Sequence, residues 1–314
     1  MAKAMYPPEW IEAVSGYLAL AVDRLADYCS AVCMWHNTGE KLAHTFTRFA
    51  LPVVWDYCEV NPASETTGGY SGGLDWVGLY IIHALKAACK AASSQIMQQS
   101  AMLQYNSTKD IILTDPPYYD AIPYSDAMDF FYVWLRRTLY GLSHDLDQIF
   151  QQPLSPKWDQ NKQDGELIDD SSRFENDKIK SKANYEDGMF HVFENCYKSL
   201  TSEGRFVVVF AHKHPDAWET LVSAMIRAGF VVTASWPIQT EMNTRMRAHG
   251  SAALASSIWL VCKKRPASTR PGWDNKVLEE MREKIVLRLR HCAGQILSGQ
   301  QQGLLWRRTA NTLW

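Results

Sequence analysis

Thr114-Asp115-Pro116-Pro117-Tyr118 is the stretch of this chain whose residue types suit one kind of chemistry, the holding of a planar exocyclic amine for alkylation. The lone pair of such an amine on adenine or cytosine is delocalised into the ring, so the nitrogen is a poor nucleophile. Two acceptors that take both N–H groups draw the nitrogen toward a tetrahedral geometry and localise the pair. Asp115 can supply one acceptor and the Pro116 carbonyl the other. Pro116 and Pro117 fix the turn, so that carbonyl is set in place before the ligand arrives. Tyr118 offers a flat face for a base, worth ~1–3 kcal/mol. A base in a duplex has to be swung out to reach such a pocket, at a cost of a few kcal/mol. The same residues also make a plain structural corner, with Asp as a cap, Pro-Pro as a rigid bend and Tyr as packing.

An element has to present that turn. Ile111-Ile112-Leu113 is a short apolar run that stops at the Pro-Pro corner, which predicts a buried parallel strand ending in a loop. In an open α/β sheet that carboxyl edge is where ligands bind. A helix is expected over about 125–140, and residues 145–187, with eleven acids and six bases, read as a long polar excursion over the mouth of a site. Tyr185, Met189, Val192, Cys196 and Leu200 form a helical stripe, which Gly204 is expected to end in a left-handed conformation. Strands follow at 206–210, 230–236 and 257–262. A helix capped by Gly229 precedes the second of them, and the last two pair antiparallel at the edge. This rhythm predicts an α/β sheet with helices on both faces.

Residues 9–99 read as helical, with apolar runs at 46–57 and 74–92 separated by a Gly/Ser/Thr-rich loop over 64–73. Trp35, Trp55 and Trp76 lie within these apolar patterns and are expected in the core. A final helix from Asp274 to about His291 and a Gln- and Gly-rich tail close the chain. The expected organisation is a helical N-terminal region (1–99), a catalytic half-domain (100–266, with the insertion at 145–187) and a C-terminal helix and tail (267–314).

The chain has 314 residues and a formal charge of −2, an ordinary globular balance that excludes a disordered chain and a histone-like polycation. No apolar run is long enough for a membrane span, and the first ten residues lack an apolar signal core. A soluble, cytoplasmic protein is expected. Seven scattered cysteines without a CxxC pair argue against a disulfide framework and a zinc ribbon. Cys29 and Cys33, four apart, read as small buried thiols on one helix face.

Asp115-Pro116-Pro117-Tyr118 resembles the catalytic motif of the S-adenosyl-L-methionine (AdoMet)-dependent amino-methyltransferases that make N6-methyladenine or N4-methylcytosine. The longer string TDPPYYDAIPYSDAMDFFYVWLRR resembles the large prokaryotic adenine-specific DNA methylases. So do FVVVFAHK from Phe206, the segment from Ala228 to Lys264, and the N-terminal RLADYCSAVCMW and ALPVVWDYCEVNP. The likeness spans about residues 9–292. It implies an incomplete Rossmann-like class I methyltransferase sheet with an antiparallel edge strand, preceded by a helical region. It implies Asp115, Pro116, Pro117 and Tyr118 as the catalytic, amine-holding residues, with Tyr119 and Asp120 lining the pocket and Thr114 and Asp115 as part of a cofactor site. AdoMet is the implied cofactor, and DNA with a flipped adenine the implied partner. The Gly-rich turn that holds the methionine end of AdoMet in that family lies upstream of the motif and has no counterpart here. The chain is therefore expected to be a fragment, or a subunit whose partner carries the cofactor half.

Secondary candidates are basic. Lys213, between His212 and His214, can touch phosphate or substrate, or belong to a polar strand end facing water; the two histidines also suit a metal pair, but no third ligand with suitable spacing is evident. Residues 241–270 hold six bases and one acid, and Arg245 and Arg247 sit in a loop (239–256) able to hold a nucleic-acid backbone or to lie free in solvent. Three readings stay open: adenine-N6 methylation of DNA, the same chemistry on cytosine N4 or RNA, and a non-catalytic remnant that binds nucleic acid or a partner.

Overall fold

A computed structural model describes residues 6–46, 53–151, 158–159, 164–238 and 257–266, with residues 268 and 279, apart from 38, 66, 67, 89, 93, 98, 121 and 213. The chain folds into two compact units, one of residues 1–98 and 123–166, the other of residues 99–122 and 167–314.

The first unit opens with α1 (Pro8–Tyr28), where proline in the first turn lacks only an N–H that would be unbonded anyway. A two-residue hairpin follows, β1 (Trp35–His36) with β2 (Lys41–Leu42), then α2 (Tyr70–Ala88). The two helices approach closely at Gly73, where an added Cβ would lie 3.2 Å from the Ala21 carbonyl. After a stretch that belongs to the second unit, which holds β3 (Lys109–Thr114), the chain returns as α3 (Tyr124–Leu139) and α4 (His144–Phe150). Glu166 holds the first turn of α3 by accepting from the Ser125 N–H and hydroxyl, and Ser143 caps α4 by accepting from the Leu146 N–H. Ala19, Leu139 and Phe150 form this unit's buried cluster, with Tyr132, Leu135, Leu142 and Leu146 packed on it. A short hairpin, β4 (Trp158–Asp159) with β5 (Asp164–Gly165), completes it.

Several expectations for this region are corrected. The described parts of 46–57 are not helical, and α2 begins inside the stretch expected to be a loop. α1 stops at Tyr28, so Cys29 and Cys33 do not share a helix face; Cys33 is buried and Cys29 exposed. Trp35, Trp55 and Trp76 are all exposed, Trp55 at 94%. Apolar spacing shows which face wants cover and not whether it is met; the Arg24 guanidinium lies over Trp76, 4.4 Å from the ring centroid.

The second unit continues with a 3-10 turn (Ser171–Phe174), α5 (Lys178–Ser199), β6 (Leu200–Phe210), α6 (Pro215–Arg227), β7 (Phe230–Ile238) and β8 (Ser257–Lys264). Much of the expected polar excursion is therefore ordered as α4, the 3-10 turn and the start of α5, whose first turn is capped by the Asp177 carboxylate. The strands form a mixed four-stranded sheet in the order β3-β6-β8-β7. β3 is parallel to β6, whereas β8 runs antiparallel to both its neighbours. The edge pair β7–β8 is antiparallel as expected, although β8 itself lies inside the sheet.

Buried residues alternate along β6: Phe206, Val208 and Phe210 point to one face. There Phe193 of α5 meets Phe206, which stacks on Phe230 with centroids 4.5 Å apart. Helices α5 and α6 pack against each other. Within this unit α5 and α6 both pack on that face, α5 through Phe193 and α6 through Trp218 against Phe210, and not on opposite faces as expected. On the other face Leu113 pairs in register with Val207, and Trp236 with Trp259; Leu113 and Trp236 are exposed. Gly229 ends α6 with φ +94°, as expected. Gly204 instead lies inside β6, where an added Cβ would come within 3.0 Å of the Asp110 carbonyl.

β3 reads as a buried strand but stands at the rim, with Ile111 69% and Leu113 58% exposed. An apolar open edge invites pairing with other chains. Leu113→Lys is expected to lower concentration-dependent light scattering while costing under about 0.5 kcal/mol in unfolding. Unchanged scattering would mean that this edge does not drive association.

Candidate functional site

Parallel pairing puts the carboxyl ends of β3 and β6 at one edge, with Thr114 opposite Val208. Asp115 to Asp120 leave β3 there, and Ala211, His212 and His214 follow β6. The Tyr118 ring stands edge-on to Phe210, with centroids 5.6 Å apart, and Phe210 is edge-on to Trp218 at 5.0 Å. The Tyr119 ring meets Tyr185 at 5.1 Å and His212 at 5.7 Å.

The turn is held from behind. The Pro117 carbonyl accepts from the Tyr119 N–H at 2.9 Å and from the Tyr185 hydroxyl at 2.8 Å. Tyr119 has φ +58°, a left-handed conformation uncommon for an aromatic residue, which persists only where the surroundings over-determine it. Its carbonyl accepts from the Asp169 N–H at 3.2 Å, which places the Asp169 carboxylate near its ring. Burial first, then that carboxylate, push the Tyr119 phenol above its usual range; burial does the same to Tyr185. Both hydroxyls therefore stay protonated as donors. Tyr185→Phe is expected to cost about 1 kcal/mol in urea unfolding, and an unchanged midpoint would show that this bond does not secure the turn.

In front, Asp115 is exposed and its Oδ1 accepts from the Tyr118 hydroxyl at 2.8 Å. Among the described residues nothing else bonds the Asp115 carboxylate, and no donor reaches the Pro116 carbonyl. One face of the turn is thus locked and the other keeps acceptors open.

The structure brings Thr114, Asp115, Pro116, Pro117, Tyr118 and Asp120 to one edge. Tyr119 sits buried behind the turn and supports it rather than lining an open pocket. Tyr118, expected as a stacking face, also steadies Asp115. Lys213, Arg245 and Arg247, the loop over 239–256, and the final helix expected from Asp274 lie outside the described residues. In the His212–His214 pair both ring nitrogens of His212 are engaged within the protein, Nδ1 by the His214 N–H at 3.1 Å and Nε2 by Asp120 at 2.9 Å. No group of three ligand side chains suited to a metal occurs among the described residues. Sequence reasoning missed Tyr185 and Asp169 as supports, because their bonds to the turn join segments 68 and 50 residues apart. A groove of about 490 Å³ on α3, lined by Tyr132, Val133, Arg136, Arg137 and Tyr140, holds none of the candidate residues.

The residues present match only part of what AdoMet needs. The Thr114 hydroxyl donates to the Val207 carbonyl at 3.4 Å and is committed to the sheet. No glycine stands in the loops that leave β3 and β6, so the described residues supply no turn for the methionine end. They do not make up a cofactor site. Among the described residues, no helix is long and apolar enough to cross a membrane. In comparisons with known proteins, no family model matches the chain, and no curated protein and no solved structure matches it.

Proposed function

We propose that this chain is the amine-holding half of an AdoMet-dependent adenine-N6 DNA methyltransferase, on an incomplete Rossmann-like sheet. The observation that carries the reading is the Asp115–Tyr118 turn. Its exposed carboxylate and open prolyl carbonyl stand at the carboxyl end of a parallel strand, while Tyr185, Tyr119 and Asp169 lock its back. Rigid acceptors cost little reorganisation when an amine docks. Asp115 and the Pro116 carbonyl take the two N–H groups, and Tyr118 flanks the base. AdoMet, when bound, supplies an electrophilic methyl group; a partner chain or further polypeptide holds it.

The test uses a single-stranded oligonucleotide with one adenine and a twin carrying hypoxanthine, which lacks the exocyclic amine. Binding to the chain is followed by fluorescence anisotropy. A clear preference for the adenine strand is expected; equal affinities would overturn the reading. Labelled AdoMet with base-resolved mass spectrometry of the product separates adenine N6 from cytosine N4, and DNA from RNA. A non-catalytic, nucleic-acid- or partner-binding remnant is the second reading, favoured by the lack of a cofactor turn among the described residues. Methyl transfer to adenine when the cofactor half is supplied discriminates: transfer that Asp115→Ala abolishes argues against the remnant, and no transfer favours it.

A further inference from the structure

We propose that His212 is a positioning residue that orients the Asp120 carboxylate as a further acceptor at the site, beside Asp115 and the Pro116 carbonyl, an inference that rests on the amine-holding reading above. Asp120 follows β3 and His212 follows β6, and their bond ties the two loops across 92 residues of chain.

The His212 side chain is only 6% exposed, whereas that of Asp120 is 53% exposed. His212 is held from several directions. It stacks on Phe210 with an interplanar angle of 25°, meets the Tyr119 ring edge at 5.7 Å, and its own carbonyl accepts from the Trp218 indole N–H at 3.0 Å. Its Nδ1 accepts from the His214 backbone N–H at 3.1 Å, so the ring hydrogen resides on Nε2. That Nε2–H donates to Asp120 Oδ1 at 2.9 Å.

A carboxylate so exposed would otherwise sample several rotamers. Pinned through Oδ1 by a buried donor, it presents Oδ2 in one direction, and among the described residues nothing bonds that oxygen. An ionised carboxylate only accepts hydrogen bonds, so the matching ligand groups are N–H and O–H donors such as those of a base or a ribose. A hydrogen bond to a charged group contributes about 1.5–3 kcal/mol, equivalent to roughly 10- to 100-fold in affinity.

Two isosteric variants separate positioning from support of the loop. The His212→Gln amide nitrogen falls near the place of Nε2 and can still donate to Asp120. The His212→Asn amide oxygen falls near the place of Nδ1, so it still accepts from His214 but cannot reach Asp120. With the adenine oligonucleotide as probe, Gln is expected to bind within about threefold of wild type, and Asn about tenfold or more weakly. Asp120→Ala should match Asn, and adding it to Asn should weaken binding no further. A role confined to the fold would make Gln at least as damaging as Asn, and that result overturns the inference.

A ligand-free readout stands beside these, so that misfolding of the Asn variant leaves the proposal testable. Long-range ¹H–¹⁵N spectra of the wild-type His212 ring should show hydrogen on Nε2, with a shift at that nitrogen in Asp120→Ala. An Nδ1–H ring, or an unmoved Nε2, overturns the proposal. If Asp115→Ala weakens adenine binding while His212→Asn does not, this inference falls and the reading of the site stands. If neither does, the reading of the site falls too.

Discussion

An Asp115→Ala chain should lose its preference for the adenine oligonucleotide over the hypoxanthine twin and, where the cofactor half is supplied, transfer methyl groups about 10²–10³-fold more slowly. The carboxylate is one of two acceptors open at the turn, and alanine leaves only the Pro116 carbonyl. An amine held by one hydrogen bond keeps its nitrogen nearly planar and its lone pair in the ring. Loss of one charge-assisted bond also weakens binding of the amine by about 10-fold or more. Because Asp115 is exposed and lies after the strand, the substitution should leave the fold intact. The Tyr118 hydroxyl loses its partner on Asp115 but can turn to water. Glu203→Ala is the matched control. It removes an exposed carboxylate near the opposite, amino-terminal end of β6 and should change neither readout. Retention of the adenine preference by Asp115→Ala would remove Asp115 from the site.

The second large effect concerns stability. Asp23 on α1 is only 8% exposed, and its Oδ1 has no hydrogen-bond partner among the described residues. Burial pushes its carboxyl up to about 7. An unfolded aspartate titrates near ~3.9, so between about pH 4 and pH 7 the folded chain binds a proton that the unfolded chain does not. Stability from this group is therefore fully present below about pH 4, declines as pH rises, and levels off above about pH 7 once both states are ionised. Asp23→Asn keeps the shape and removes the charge. It is expected to raise the unfolding free energy of the first unit by about 2–4 kcal/mol at pH 8 and to change it little at pH 4. Urea unfolding at the two pH values checks this, and taking the difference from wild type cancels the general effect of acid. A variant no more stable than wild type at pH 8 would show that the ionised carboxylate is accommodated.

Such a residue at a buried position is uncommon without a partner, since a buried charge or an unbonded polar atom is costly. Spacing alone makes Leu18, Val22 and Leu25 the apolar positions of α1 and leaves Asp23 as ordinary helix surface. Only the approach of neighbouring elements reveals the cost.

The four strands of the main sheet, α3, α5 and α6 were legible in the chain because they rest on local periods. Continuous apolar runs mark strands, recurrence at three to four residues marks helices, and Gly229 supplies the left-handed stop. The turn at Asp115 was legible for the same reason, since two adjacent prolines restrict the backbone whatever surrounds it. Cover and partnership were not. Whether an apolar face meets another element depends on residues far away in sequence, so Trp55, Trp76 and the rim strand β3 read as interior and lie exposed. Gly204 looked like a helix stop and proved to be a close approach between strands. The locks on the turn, Tyr185 to Pro117, Asp169 to Tyr119 and His212 to Asp120, close loops of 50 residues or more. No local period encodes such a bond, because it forms only when parallel pairing of β3 with β6 brings their ends to one edge.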